Sequence, residues 1–172
     1  TLAAYGTASG GCGGEFVKTV QVGTINESFA SCGTYRDRTS VSTTLLRQVS
    51  YAITVTNGVT TYPGDYCGIW IDWNQDEVFG DDESLAVTGS PGVGPYSATI
   101  TPPVNAVAGA TRMRVRIVYG ETPVPCGNSD YGETEDYTIN VINWLDYEPK
   151  QGSVMPGESV DIDVIFSSIG MA

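Results

Sequence analysis

Residues 111–119 alternate apolar and charged side chains almost without a break. Met113, Val115, Ile117 and Tyr119 fall on one face of an extended chain, and Arg112, Arg114 and Arg116 fall on the other. A period-two pattern of this length hides its apolar half only as a strand in a sheet with a core on one side. Shorter segments repeat the theme. Residues 16–22 are a β-branched run. Tyr51, Ile53 and Val55 alternate with Ala52, Thr54 and Thr56 up to Asn57-Gly58, a hairpin-turn signal. Residues 69–73 are apolar on both faces, residues 97–101 are closed by Pro102-Pro103, and Tyr137, Ile139 and Val141 alternate within residues 136–142. Residues 104–110 are a connection rich in small side chains. No window keeps the 3.6-residue apolar spacing of a helix. The pattern predicts an all-β chain, an antiparallel β-sandwich of jelly-roll type.

The apolar fraction of 41% is that of a globular protein, and 172 residues suffice for one packed domain. That domain is expected over residues 1–142. Beyond it, Trp144-Leu145 and a Pro-Gly turn lead to Val160, Ile162, Val164 and Phe166, which alternate with Asp161, Asp163 and Ile165. Residues 143–172 read as the incomplete start of a second, immunoglobulin-like β-sandwich or as a C-terminal strand extension. A segment of about thirty residues cannot bury a core of its own, so its strand would need a partner edge. A chain beginning with Thr1 is expected to be a piece of something longer.

Twenty acidic residues stand against eight basic ones, a net charge of -12. This disfavours nucleic acid and anionic membranes and suits a soluble extracellular protein. No apolar run approaches the roughly 20 residues that cross a bilayer. Cys12, Cys32, Cys67 and Cys126 form no Cys-x-x-Cys pair, so they read as two disulfides in an oxidising compartment. Of three possible connectivities, Cys12 with Cys32 and Cys67 with Cys126 is preferred. The chain contains no histidine, which excludes Ser-His-Asp and Cys-His catalysis within it.

The chemistry concentrates in two acidic motifs. From Asp72, oxygen-bearing side chains fall at the first, third and fifth places (Asp72, Asn74, Asp76), Val78 offers a carbonyl at the seventh, and Glu83 stands at the twelfth. That is the ligand rhythm of a Ca²⁺ loop, here between strands instead of helices. The sixth place, usually Gly at positive φ, is Glu77. The second motif is Gly132-Glu133-Thr134-Glu135-Asp136-Tyr137, in which Glu133 and Glu135 share a strand face. Either these carboxylates pair across strands with Arg112, Arg114 or Arg116, or Glu135 completes the Ca²⁺ site begun at Asp72. Trp70 and Trp73 lie on opposite faces, so at least one belongs to the core. Tyr62, Tyr66, Tyr96 and Tyr131 fall near loops as possible sugar contacts.

Taken together, residues 70–79, the strand beginning Gly109-Ala110-Thr111-Arg112-Met113-Arg114, the Pro125-Cys126-Gly127 step and residues 132–137 resemble, in this order, the GEVED domain family of secreted bacterial proteins. Thr134 replaces the Val of the family's signature, and Glu77 replaces a Gly in its upstream element. The resemblance spans roughly residues 16–142. It implies a β-sandwich module beside peptidases, adhesins and other surface proteins, and brings no catalytic activity with it.

The expected function is a non-catalytic, calcium-stabilised module, secreted or at the cell surface, serving adhesion, substrate binding or structural spacing. Its expected partners are neighbouring domains of the same polypeptide and a carbohydrate or protein surface ligand. Two other readings are a surface-filament subunit assembled by strand addition through residues 160–166, and a glycan-active enzyme using a carboxylate pair such as Asp72 with Glu135.

Overall fold

The computed structural model describes residues 5–58, 60–143, 145–148 (backbone only) and 152–166. Two four-stranded sheets face each other. The first has β4 (Tyr35–Leu46), β10 (Gly132–Ile142), β8 (Gly109–Tyr119) and β6 (Asp65–Ile71) in that order. The second has β3 (Ile25–Ser28), β2 (Val17–Val22), β5 (Tyr51–Asn57) and β7 (Tyr96–Ile100). A short parallel pair, β1 (Ala8–Gly10) with β9 (Gly127–Ser129), forms a separate two-stranded sheet.

The alternation read from the sequence decides which side chains enter the space between the sheets. Val20 and Val22 of β2, Ile53 and Val55 of β5, and Tyr96, Ala98 and Ile100 of β7 meet Ile69 and Ile71 of β6, Met113, Val115 and Ile117 of β8, and Tyr137, Ile139 and Val141 of β10. Trp73 joins this core, while Trp70 is buried on the opposite face of β6. Tyr119 overshoots the core at the end of β8 and is exposed, contrary to its place in the pattern.

Three features depart from the expectation. The sandwich is mixed, because β4 runs parallel to β10, with a register shift opposite Tyr137 and Thr138. Asn57-Gly58 is not a hairpin: β5 and β6 belong to different sheets, and Asn57 is buried, donating from Nδ2 to Asp65 Oδ2 (2.6 Å) and Tyr96 Oη (2.9 Å). The C-terminal strand is not unpaired either. β12 (Asp163–Phe166) lies antiparallel to β11 (Leu145–Glu148) in a separate two-stranded sheet, and all four β12 residues are exposed. Thr1, Trp144 and Pro149 lie outside the described residues.

Candidate functional site

The signature strand β10 carries four consecutive polar residues, Glu133 to Asp136, all completely buried. Strand geometry divides them. Glu133 and Glu135 oppose Ile117 and Val115 and face the interior; Thr134 and Asp136 oppose Arg116 and Arg114 and face outward. Of the β8 arginines, Arg112 and Arg114 therefore approach Asp136, not Glu133 or Glu135.

On the outer face, Arg114 holds Asp136 through two parallel bonds, Nε to Oδ1 (2.7 Å) and Nη2 to Oδ2 (2.8 Å). Its Nη1 donates to the carbonyls of Gly6 (2.8 Å) and Pro125 (2.7 Å). Arg116, one pleat along, has no carboxylate partner among the described residues. It donates instead to the carbonyls of Val124 (2.5 Å), Cys126 (3.3 Å), Ser9 (3.2 Å) and Gly127 (3.0 Å). Burial, and then the charge of Arg114, lower its pKa. The two guanidinium groups thus fasten the N-terminal segment and residues 124–127 onto the sheet. Tyr35 adds a bond from its hydroxyl to Asp136 Oδ2 (3.0 Å), and its own pKa is pushed up to about 12, chiefly by burial and then by the Asp136 charge.

On the inner face, Glu133 ties three segments together. Its Oε2 accepts from Val17 N (3.1 Å), and its Oε1 accepts from Gly33 N and Arg36 Nε (both 2.6 Å). Burial raises its pKa despite these donors. Glu135 Oε2 accepts from the Tyr137 hydroxyl (2.6 Å), while Oε1 stands 3.5 Å from Arg36 Nε without a hydrogen bond among the described residues. Burial first, and then the neighbouring Glu133 charge, push Glu135 up to about 8. Arg36, stacked on the Phe29 ring at 4.3 Å, is thus the cation nearest both carboxylates.

The acidic loop leaves β6 at Asp72, which is buried. Asp72 Oδ1 accepts from Gln75 N (2.7 Å), and Oδ2 accepts from Glu77 N (3.1 Å) and the Tyr5 hydroxyl (2.5 Å). Asn74 Oδ1 accepts from Asp76 N (2.9 Å), and Asp76 Oδ1 from Val78 N (2.9 Å). Glu83 turns inward at the end of a 3-10 turn, Asp81–Glu83, where Oε1 accepts from Trp73 N (2.7 Å) and Oε2 from Gly80 N (2.9 Å). The carboxylates therefore bind the loop's own amides. Among the described residues no three His, Cys, Asp or Glu side chains form a metal-holding group. Asp72, Asn74, Asp76, Val78 and Glu83 share this loop, but Glu135 does not approach it. Glu135 pairs with Val115 and Val115 with Ile69 on the inner face, whereas Asp72 continues the outer face of Trp70. The same separation keeps Asp72 and Glu135 from acting as a pair on one substrate.

Cys12 and Cys32 form a disulfide. The expected Cys67–Cys126 bond is not made, and both thiols are free. Cys67 points into the core with Ile69, whereas Cys126 lies beside Arg114 Nη1 (4.0 Å) on the other face of the same sheet. Of the tyrosines read as sugar contacts, Tyr96 is fully buried and Tyr66 is half-buried, while Tyr62 and Tyr131 are exposed. Sequence reasoning missed Arg36 and Tyr5. Arg36 stands in a polar stretch without apolar alternation, so its place opposite Glu135 has no signal in the pattern.

Residues 66–140 match the family model of the GEVED domain. The match takes in the acidic loop, the arginine strand and the signature, and leaves out β1 to β5 with Arg36 and the disulfide. No curated protein and no solved structure matches the chain.

Proposed function

We infer, for a chain whose residues 66–140 belong to the GEVED domain family, that the protein is a non-catalytic extracellular β-sandwich module for adhesion or substrate binding. The observation that carries this reading is the burial of Glu133 and Asp136 in contacts that join separate segments of the chain, with Glu135 buried beside them against Tyr137 of its own strand. A carboxylate that holds an internal arginine or a backbone amide is consumed by the fold. An extracellular setting is supported by the Cys12–Cys32 disulfide and the net charge of -12. The partners proposed are neighbouring domains of the same polypeptide and a surface ligand.

The test compares stability with turnover. Asp136→Asn and Glu133→Gln should lower the urea midpoint, and the native protein should turn over no peptide or polysaccharide in a substrate panel. Turnover that is lost in a normally stable Glu135→Gln variant would overturn the reading.

Calcium is a second part of the proposal, favoured by the consecutive turns that Asp72, Asn74 and Asp76 make at first, third and fifth places. Asp72 Oδ1, Asn74 Oδ1 and both Asp76 oxygens each accept one hydrogen bond and retain a second lone pair. Millimolar Ca²⁺ should then raise the melting temperature by mass action, and Asp76→Ala should abolish the increment. A melting curve indifferent to Ca²⁺ leaves the loop closed by its own amides alone. Assembly by strand addition has the four exposed residues of β12 in its favour, and a concentration-independent monomer in light scattering would remove it.

A further inference from the structure

Three tyrosines gather where β6 begins, β8 ends and β10 begins. Tyr119 stands between Tyr62 and Tyr131, with ring centroids 5.5 Å and 6.2 Å away. Their exposures are 39% for Tyr62, 44% for Tyr119 and 49% for Tyr131. Scattered exposed apolar residues need no explanation, but a contiguous aromatic patch does. The rings are also held in place from below. A Cβ built on Gly13 would come within 2.4 Å of Tyr131 Cδ1, and one on Gly64 within 3.1 Å of Tyr119 Cε2. Tyr131 and Tyr119 therefore lie against bare glycine backbone, which fixes each ring while leaving its outer side to solvent.

Beside the rings opens a cleft of about 380 Å³ lined by Tyr119, Glu121, Asn128, Asp130 and Tyr131, among others. This volume lies within the range of roughly 300–1,000 Å³ typical of small-ligand sites. Asn128 is oriented by the Ser9 hydroxyl, which donates to its Oδ1 (2.9 Å) and leaves the amide hydrogens for another acceptor. The cleft thus offers two carboxylate acceptors, an amide donor and aromatic faces, and among the described residues no Lys or Arg lines it.

We propose that this cleft binds a neutral polysaccharide, one sugar stacking on Tyr119 or Tyr131 and giving its hydroxyl hydrogens to Glu121 and Asp130. The proposal rests on the reading of the chain as a binding module and names its ligand class. Aromatic rings cover the C–H face of a pyranose, while carboxylates and amides match its hydroxyl edge. Uronates, sulfated glycans and phosphates are disfavoured by the two carboxylates and the surrounding negative charge. A basic peptide suits the charge but not the rings. The contacts at 67° and 87° turn ring edges toward neighbouring faces, whereas a cation is held by faces converging on one point.

Titration calorimetry of the full chain with neutral glucan, mannan and xylan hexasaccharides, with an oligolysine and an oligogalacturonate as controls, tests this. At least one neutral hexasaccharide should bind. Tyr119→Ala and Tyr131→Ala should each weaken it about tenfold or more, and Asp130→Asn should also weaken it, each in a protein that still unfolds cooperatively. The proposal is overturned by binding of oligolysine alone, by binding of the acidic oligosaccharide in preference to neutral ones, by no saccharide binding, or by affinity undiminished in a Tyr119→Ala/Tyr131→Ala double variant. None of these outcomes touches the non-catalytic reading, which stands or falls on turnover and on the stability of the signature variants.

Discussion

At the scale of single residues, the acidic loop stores strain at two positions of its backbone. Gln75 and Glu77 both adopt left-handed backbone, with φ of 58° and 66°. The conformation at Glu77 lets its amide reach Asp72 Oδ2 (3.1 Å). A side chain with a Cβ pays about 1–2 kcal/mol there, part of which glycine returns as unfolded-state entropy. Glu77→Gly should therefore stabilise the protein by about 1 kcal/mol, read as a higher urea midpoint at unchanged m-value. The same scale decides the worth of the Arg114–Asp136 pair. Asp136→Asn leaves a buried guanidinium without its counter-charge and should cost about 3–5 kcal/mol. Arg114→Leu combined with Asp136→Leu should cost less than the sum of the two single changes, because no charge is left stranded. Additive losses in that double-mutant cycle would mean that Arg114 acts mainly through the carbonyls of Gly6 and Pro125.

At the scale of elements, the strands that bury an alternating apolar face were legible and the others were not. β5, β8 and the second half of β10 announce themselves by period two, β2 by its β-branched run and β7 by a short extended stretch before Pro102-Pro103, and together they contribute most of the core. β4 does not. Its twelve residues include only two buried ones, Thr43 and Leu45, because it lies at the sheet edge beside β10. Its inward Arg36 serves carboxylates instead of the core. The free pair of cysteines failed for a related reason: spacing along the chain does not say which face of a sheet each residue occupies, and Cys67 and Cys126 occupy opposite faces. The candidate loop was found because Asp72, Asn74 and Asp76 fall at alternate places. Their amide partners, and the distance of Glu135 from them, required the fold. The disulfide that does form closes the N-terminal segment against the stretch that carries Gly33, the amide held by Glu133. Replacing both Cys12 and Cys32 by Ser should cost about 2–4 kcal/mol and expose residues 5–16 to proteases first. A thiol reagent should modify Cys126 before Cys67 in the native protein, since burial pushes the Cys67 thiol well above its ordinary range.

At the scale of the whole molecule, the buried acids of β10 link stability to pH. Glu135 is completely buried, and its carboxyl is pushed up to about 8 in the folded state by burial and by Glu133, against the pull of the Tyr137 hydroxyl, Arg36 and Arg38. Glu133 is shifted in the same direction. An acid whose folded pKa is raised keeps its proton in the native chain while the unfolded chain releases it. Its contribution to stability is complete below the unfolded value, declines as pH rises from about 4.5, and is gone above about 8. A net charge of -12 adds self-repulsion as pH rises. The native sandwich should therefore be most stable in mildly acidic solution and lose stability toward pH 8. Glu135→Gln removes the titrating carboxyl and keeps an acceptor for Tyr137. It should flatten the decline between pH 5 and 8 and raise stability at pH 8 by about 2 kcal/mol. Urea unfolding of both proteins at half-unit intervals across that window measures the difference directly. Parallel curves would mean that Arg36 neutralises Glu135 in the folded state, so that the carboxylate is ionised at neutral pH despite its burial.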